Sequence, residues 1–393
     1  MSRRRLFGSL CALVFLVNLA RIVYAPLLEP VMESFDVTAG TAGLLATLAW
    51  VGSASPRLPT GWLLTKVPRH YIILGTGTVL TVSATATAAA PTIEWLMVGA
   101  LLMGSSSGMY FIAANPLVSE LFPERVGRVL GIHGTAGQLA AVLAPVLVTA
   151  VLALTGTWRG VFLLIGAGAG VATVALFVIA RRSEVPDAGS EDRELLVALR
   201  HQWPIVVSGI AIIGATGFVW NGVFNFYVTY LIDAKGVDAN TGRTLLTVTF
   251  AAGVPAFWVS GRLADRLPNV PLMLTILGAF ILCLFALTAV EGLLGVVAVS
   301  AAIGYVIHSL FPTLDRYLLA SLPDHHRGSA YAVFSATMML VQALGSWAVG
   351  LLTDAGFAFD VIFRGLAVGL IIILAVLLTL YVAGRLPRGA KPT

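Results

Sequence analysis

Three arginines, Arg21, Arg57 and Arg316, sit inside otherwise apolar runs. A guanidinium in such surroundings must find a partner, water or an anion, and its planar fork of donors matches a carboxylate in a bidentate way. At helical spacing Asn18, Arg21 and Ala25 share one face with Tyr24 beside it. Arg21 has no carboxylate within a helical turn, and Glu29 lies too far along the chain to neutralise it. That face is a candidate anion-binding surface; a structural ion pair or snorkelling to headgroups is the alternative. Arg57, beside Pro56 and Pro59, fits an inner gate contact or snorkelling equally.

Arg316 adjoins Asp315 but points to another helical face, whereas Asp315 shares its face with Phe311 and His308. His308 and Asp315 are therefore the candidates for proton coupling, weighed against a neutral His308 that only bridges helices. The run GFVWNGVFNFYVTY places Trp220, Asn221, Phe224 and Asn225 together, combining amides with aromatic surface. Tyr110, Asn115 and Gln342 are further binding candidates of the same kind. Metalloprotease and nucleotide-binding signatures are absent from the sequence: there is no HExxH or GxxxxGK[ST]. Cys11 and Cys283 lie in apolar segments without metal-ligand spacing, and His325 and His326 have no ligating company. No enzyme, metal or cofactor is expected.

The elements that must position these residues follow from composition. Of 393 residues 58% are hydrophobic and 11% charged, about half the charged fraction of a soluble domain. Apolar runs of about 20 residues recur, each long enough to cross a hydrocarbon core about 30 Å thick. They predict twelve spans, near 6–28, 40–62, 70–92, 94–118, 126–152 and 160–182, then 202–232, 239–263, 270–290, 292–320, 326–353 and 357–383. The fold class expected is an all-α polytopic membrane protein of two pseudo-symmetric six-helix bundles, 1–182 and 202–393. A polar cytoplasmic linker, 183–201, joins them. The basic flank before the first apolar run reads as that of a retained helix rather than a cleaved signal.

Seventeen of the 24 Lys and Arg fall in one alternate set of loops and termini and four in the other, which predicts a cell-membrane protein with both termini in the cytoplasm. The net charge of +5 is scattered, not gathered on a face, so no nucleic-acid partner is expected. An internal repeat at an offset of 200 residues pairs Thr60 with Ser260, Gly61 with Gly261, Pro68 with Pro268, Gly104 with Gly304 and Pro123 with Pro323.

On these residues the chain resembles the major facilitator superfamily. GRLADR, from Gly261 to Arg266, matches that superfamily's loop signature, and GWLLTKVPRH is a degenerate copy with Thr65 in the aspartate's place. FPERVGRVLGI and TWRGVF add to the likeness, which spans nearly the whole chain. The resemblance implies alternating access and a gating role for Gly61, Lys66, Arg69, Gly261, Asp265 and Arg266, with the glycines permitting close helix approach. It implies a monomeric secondary transporter of a small-molecule solute. A coupling proton or ion is one option, and the lipid bilayer is the other partner. A cavity between the halves, lined by a cation, amides and rings, suits an organic anion with an apolar body. Ala100 stands where proton-coupled drug exporters carry arginine, and Ala144 precedes Pro145 where they carry glycine. These departures disfavour the multidrug exporter that is the alternative; an intramembrane enzyme is the alternative of another class.

Overall fold

The computed structural model describes residues 2–181, 213–321 and 327–385. The expected linker, the start of the seventh span, Pro323, His325 and His326 lie outside the described residues, as do the side chains of Asp265, Asp315 and Arg316. The described residues fold as helices: α1 (Ser2–Ile22), α2 (Tyr24–Phe35), α3 (Ala39–Ala54), α4 (Arg57–Leu63), α5 (Arg69–Ala88), α6 (Ile93–Leu121), α7 (Val126–Thr155) and α8 (Arg159–Ala180). Then follow α9 (Ala215–Asn225), α10 (Tyr227–Lys235), α11 (Ala239–Arg266), α12 (Asn269–Ala289), α13 (Leu293–Ser321), α14 (Arg327–Asp354) and α15 (Phe359–Val382).

Ten of the described helices are each long and apolar enough to cross a membrane. The remaining two spans are broken ones, α3 with α4 and α9 with α10, which accounts for twelve. The first span is broken too, because α2 continues α1 after Val23. The causes are local. Pro26 has no N–H to give the Ile22 carbonyl, and Pro56 has none for Gly52, so each helix stops there. Between α9 and α10 the Asn221 carbonyl instead accepts from the Asn225 side chain at 3.0 Å and from Ser346 at 3.0 Å, and side chains inserted into the ladder bend a helix.

Two compact units result, one of residues 2–37 and 44–181, the other of 38–43 and 213–385. Their elements repeat at the offset seen in the sequence: α5 and α12 begin at Arg69 and Asn269, α6 and α13 run Ile93–Leu121 and Leu293–Ser321, α8 and α15 begin at Arg159 and Phe359. The left-handed turns repeat as well, with φ of 50° at Asp36 and 64° at Gly236, 67° at Gly156 and 89° at Gly356. In the first unit a Cβ on Gly104 would collide with the Ala49 carbonyl, and in the second one on Gly304 would collide with the Thr249 carbonyl. Small residues thus bring backbones into direct contact at the same place in each unit, as membrane helices require where lipid supplies no hydrophobic drive. Outward apolar side chains such as Leu154, Val171, Leu294 and Val382 are exposed, which suits lipid and not water.

Candidate functional site

In the first unit, α1 lies against α6, α7 and α8. Its break at Val23, forced by Pro26, falls two residues after Arg21. The Arg21 guanidinium donates through Nη2 to Asn18 Oδ1 at 2.6 Å and through Nη1 to Ser53 Oγ at 3.3 Å, and it lies over the Trp50 ring, 4.4 Å from its centroid. Asn18 in turn donates through Nδ2 to the Gly137 carbonyl of α7 at 2.6 Å, which fixes its oxygen toward the arginine. These contacts of Arg21 are all neutral, and among the described residues no carboxylate pairs with it. The neighbouring charge that acts on it, Arg57, is also positive. Arg57 itself donates to the Ser53 carbonyl at 3.1 Å. The buried Nε of Arg21 has no hydrogen-bond partner among the described residues, whereas the Tyr24 ring lies against Phe162 of α8 at a centroid distance of 5.8 Å. A buried donor left unmet costs about 1–3 kcal/mol, so an arrangement that retains it invites a ligand.

The sequence pairing of Asn18 with Arg21 is therefore a direct bond, while Ser53, Trp50 and Gly137 were not anticipated. Tyr110 occupies a different place. Its hydroxyl donates to the Leu10 carbonyl at 2.6 Å, so His133 Nε2, at 3.0 Å, is the donor to it. This chain ties α1, α6 and α7 together, and His133 escaped the sequence reading although it is an ionisable residue within an apolar run. Asn115 is exposed on α6.

In the second unit Asn221 and Asn225 are bonded to each other, Nδ2 of Asn225 donating to Asn221 Oδ1 at 2.9 Å, and both are bonded to Ser346 of α14, at 2.8 Å each. Trp220 meets Phe224, Phe250, Phe280 and His308 at centroid distances of 5.4, 6.2, 6.5 and 6.0 Å. His308 Nδ1 lies 2.7 Å from the Gly304 carbonyl, an acceptor, so Nδ1 carries the proton. Gln342 donates to the Ile213 carbonyl at 3.4 Å.

The gate candidates divide. Arg69 pairs with Glu120 of α6 at 2.7 Å, and Lys66 rests over the Trp62 ring at 4.1 Å. Gly61 is buried in α4 and Arg266 is exposed at the end of α11. The expectation that Gly261 permits a close helix approach is corrected: a Cβ there would meet nothing within 4 Å. Close approach in that helix pair is made through Gly304 instead.

Helices of membrane-spanning length, two units with repeated elements and polar side chains held inside each define a multi-pass membrane protein built as a solute carrier. The chain belongs to the Major Facilitator Superfamily, whose family profile matches residues 10–314. It is 24% identical to an uncharacterized MFS-type transporter, YwfA, of Bacillus subtilis, with 86% of this chain and 82% of that one covered. It is 26% identical to the purine ribonucleoside efflux pump NepI of Escherichia coli, with 85% and 82% covered. Over 39% of its length it is also 26% identical to the galactose-proton symporter of Escherichia coli K12. Among solved structures, a bacterial homolog of the human lysosomal transporter Spinster matches with a TM-score of 0.78 at 16% identity, covering 100% of this chain and 99% of that one. That likeness concerns the fold alone.

Proposed function

We propose that this chain is a secondary transporter that moves a small organic anion with an apolar body by alternating access, and that Arg21 holds the anionic group. The observation that carries this reading is a guanidinium inside the membrane with neutral contacts, a second positive charge nearby and Nε still unmet. A carboxylate would take Nε and supply the missing charge. Asn18, fixed by the Gly137 carbonyl, acts by orienting Arg21. Binding of benzoate and indole-3-acetate to purified, folded variants tests the reading. Arg21→Gln is expected to weaken binding about 10- to 100-fold, the loss of charge-assisted bonds in a dry site, and Arg21→Lys to weaken it less. Equal binding by Arg21→Gln and the parent, or binding of cationic drugs only, overturns the assignment.

A second reading, export of purine nucleosides, is favoured by the rings around Trp220 and by the likeness to NepI. Inosine uptake into proteoliposomes, unaffected by Arg21→Gln, separates the two. The lopsided basic residues support a cell-membrane location with both termini in the cytoplasm. After replacement of Cys11 and Cys283, single cysteines in Asp36→Cys, Lys235→Cys and Gly356→Cys should react with an impermeant thiol reagent from outside. Those in Lys66→Cys, Asp192→Cys and His326→Cys should not, and the reverse pattern sinks the orientation.

A further inference from the structure

Cations at opposite ends of the helices are engaged differently. On the side where Lys and Arg are few, each is bound to the end of a helix. Arg159 donates to the Ala88 and Ala90 carbonyls at 3.1 and 2.7 Å, and Lys235 to those of Thr288 and Val290 at 3.3 and 3.0 Å. Arg364 donates to the Thr288 hydroxyl at 3.0 Å. These side chains close the C-terminal ends of α5 and α12, whose last carbonyls have no partner within the helix. The rings beneath two of them, Trp158 under Arg159 and Tyr230 under Lys235, are buried.

On the side where basic residues gather, three exposed cations lie over rings instead. Lys66 stands 4.1 Å from the Trp62 centroid, Arg181 5.4 Å from that of Phe177 and Arg262 3.4 Å from that of Trp258. In each pair the ring precedes the cation by four residues, and it is turned outward: Trp62 is 58%, Phe177 46% and Trp258 64% exposed. Arg69 is taken by Glu120, but among the described residues no carboxylate or carbonyl takes the donors of these three. A cation kept only to hold a loop in water needs no ring beneath it. An outward ring one helical turn deeper than an outward cation matches the layering of a bilayer, with the ring below the headgroups and the charge at the phosphate. A guanidinium lying on a ring keeps the N–H donors in its own plane free to meet two phosphate oxygens. A zwitterionic headgroup brings an ammonium that competes for that phosphate; an anionic one does not.

We infer that Lys66, Arg181 and Arg262, each held over its ring, bind the phosphate of anionic phospholipid headgroups at the cytoplasmic side of the proposed orientation. The inference does not depend on which solute is carried, nor on Arg21. Attraction of this kind is worth about fivefold in affinity per cation near the surface.

The test measures binding of fluorescent phosphatidylglycerol, with fluorescent phosphatidylcholine as control, to the purified full chain in a non-ionic detergent. The parent should prefer the anionic lipid about tenfold or more. The triple variant Lys66→Gln, Arg181→Gln, Arg262→Gln should lose that preference with phosphatidylcholine binding unchanged. A charge-matched triple, Arg3→Gln, Arg4→Gln, Arg5→Gln, removes exposed cations that lie over no ring among the described residues, and it should keep most of the preference. Trp62→Leu with Trp258→Leu retains every charge and should still weaken phosphatidylglycerol binding, because the cations are no longer held. An excess of inorganic phosphate should not displace the lipid, since it brings no chain to lie beside the ring. A parent without preference, equal losses in the two triples, full binding by the ring variant, or displacement by inorganic phosphate overturns the inference.

Discussion

Gly304→Ala and Gly261→Ala place the same methyl on paired helices and should have opposite consequences. At Gly304, in α13, the added Cβ would lie on the Thr249 carbonyl oxygen, with the carbonyl carbon at 2.7 Å and Cα at 2.9 Å. All three are backbone atoms, so no rotamer relieves the contact and α11 must move. Overpacking of this kind costs about 1–3 kcal/mol. At Gly261, in α11, nothing lies within 4 Å, so the methyl meets no resistance. Both substitutions gain about 1 kcal/mol in helix propensity, so that gain cancels in the comparison. The two variants should differ by about 1–3 kcal/mol, which for units of this size corresponds to about 2–4 °C of melting temperature per kcal/mol. Tryptophan fluorescence melts in one detergent and at one protein concentration measure it. Gly104→Ala should behave like Gly304→Ala, because its Cβ would collide with the Ala49 carbonyl. If Gly304→Ala melts with or above Gly261→Ala, direct backbone contact between α11 and α13 does not hold the second unit together.

Tyr110→Phe should cost about 1–3 kcal/mol, since it strands the buried N–H of His133, whereas Tyr110→Phe with His133→Phe should melt nearer the parent; equal losses in both would discount the bridge. Asp238 caps α11, accepting from the N–H groups of Asn240 and Thr241 at 3.0 Å and from the Thr241 hydroxyl at 2.6 Å, and that hydroxyl first, then the N–H groups, hold its carboxyl below the ordinary carboxylate range. A lowered folded-state value means that the cap's contribution is complete above the unfolded value, about 4, and is lost as pH falls through the folded one. The melting difference between parent and Asp238→Ala should therefore be constant near neutrality and shrink in acid; a difference that grows in acid contradicts the assignment. Asp265→Asn should sharply reduce uptake into proteoliposomes with expression intact, whereas Thr65→Ala should be mild, and equal effects would remove the acidic residue from gating.

The helix boundaries were legible because charge, proline and glycine punctuate the apolar runs: the runs expected at 70–92, 94–118 and 270–290 are helices Arg69–Ala88, Ile93–Leu121 and Asn269–Ala289. The breaks within spans were not legible in the same way. Single prolines at 116, 145, 255 and 312 sit in continuous helices, whereas the pairs Pro26 with Pro30 and Pro56 with Pro59 accompany the two proline-linked breaks. A missing hydrogen bond is thus absorbed in one helix and ends another, so a proline in the sequence does not by itself say which will follow. The break at Phe226 has no proline, and its cause, Ser346, lies 125 residues from Asn221. Arg21 was legible because a charge in an apolar run stands out. Its neighbours were not, since Ser53, Trp50 and Gly137 are ordinary residues until the fold brings them near. His133 met the same criterion as His308 and was overlooked.

The repeat supplies a way to separate scaffold from chemistry without any second sequence. Where both units keep a feature at the offset of 200, as with Gly104 and Gly304 pressed on the carbonyls of Ala49 and Thr249, the feature serves the packing that both must satisfy. Where the same frame holds different side chains, the packing common to both units does not by itself dictate them. Arg21 answers to Asn221, Trp50 to Phe250, Ser53 to Gly253 and Gly108 to His308. In the first unit these positions assemble a guanidinium over a ring, bonded to the Ser53 hydroxyl. In the second they assemble an imidazole among rings, with the charge gone. The cation costs several kcal/mol at membrane depth, so selection for stability alone gives no cause to keep it in one copy. Substitution of Arg21, Ser53 or Trp50 in the first unit, and of Phe250 or His308 in the second, is therefore expected to change transport in variants that fold as the parent does, and unchanged uptake into proteoliposomes by all of them would return these differences to packing.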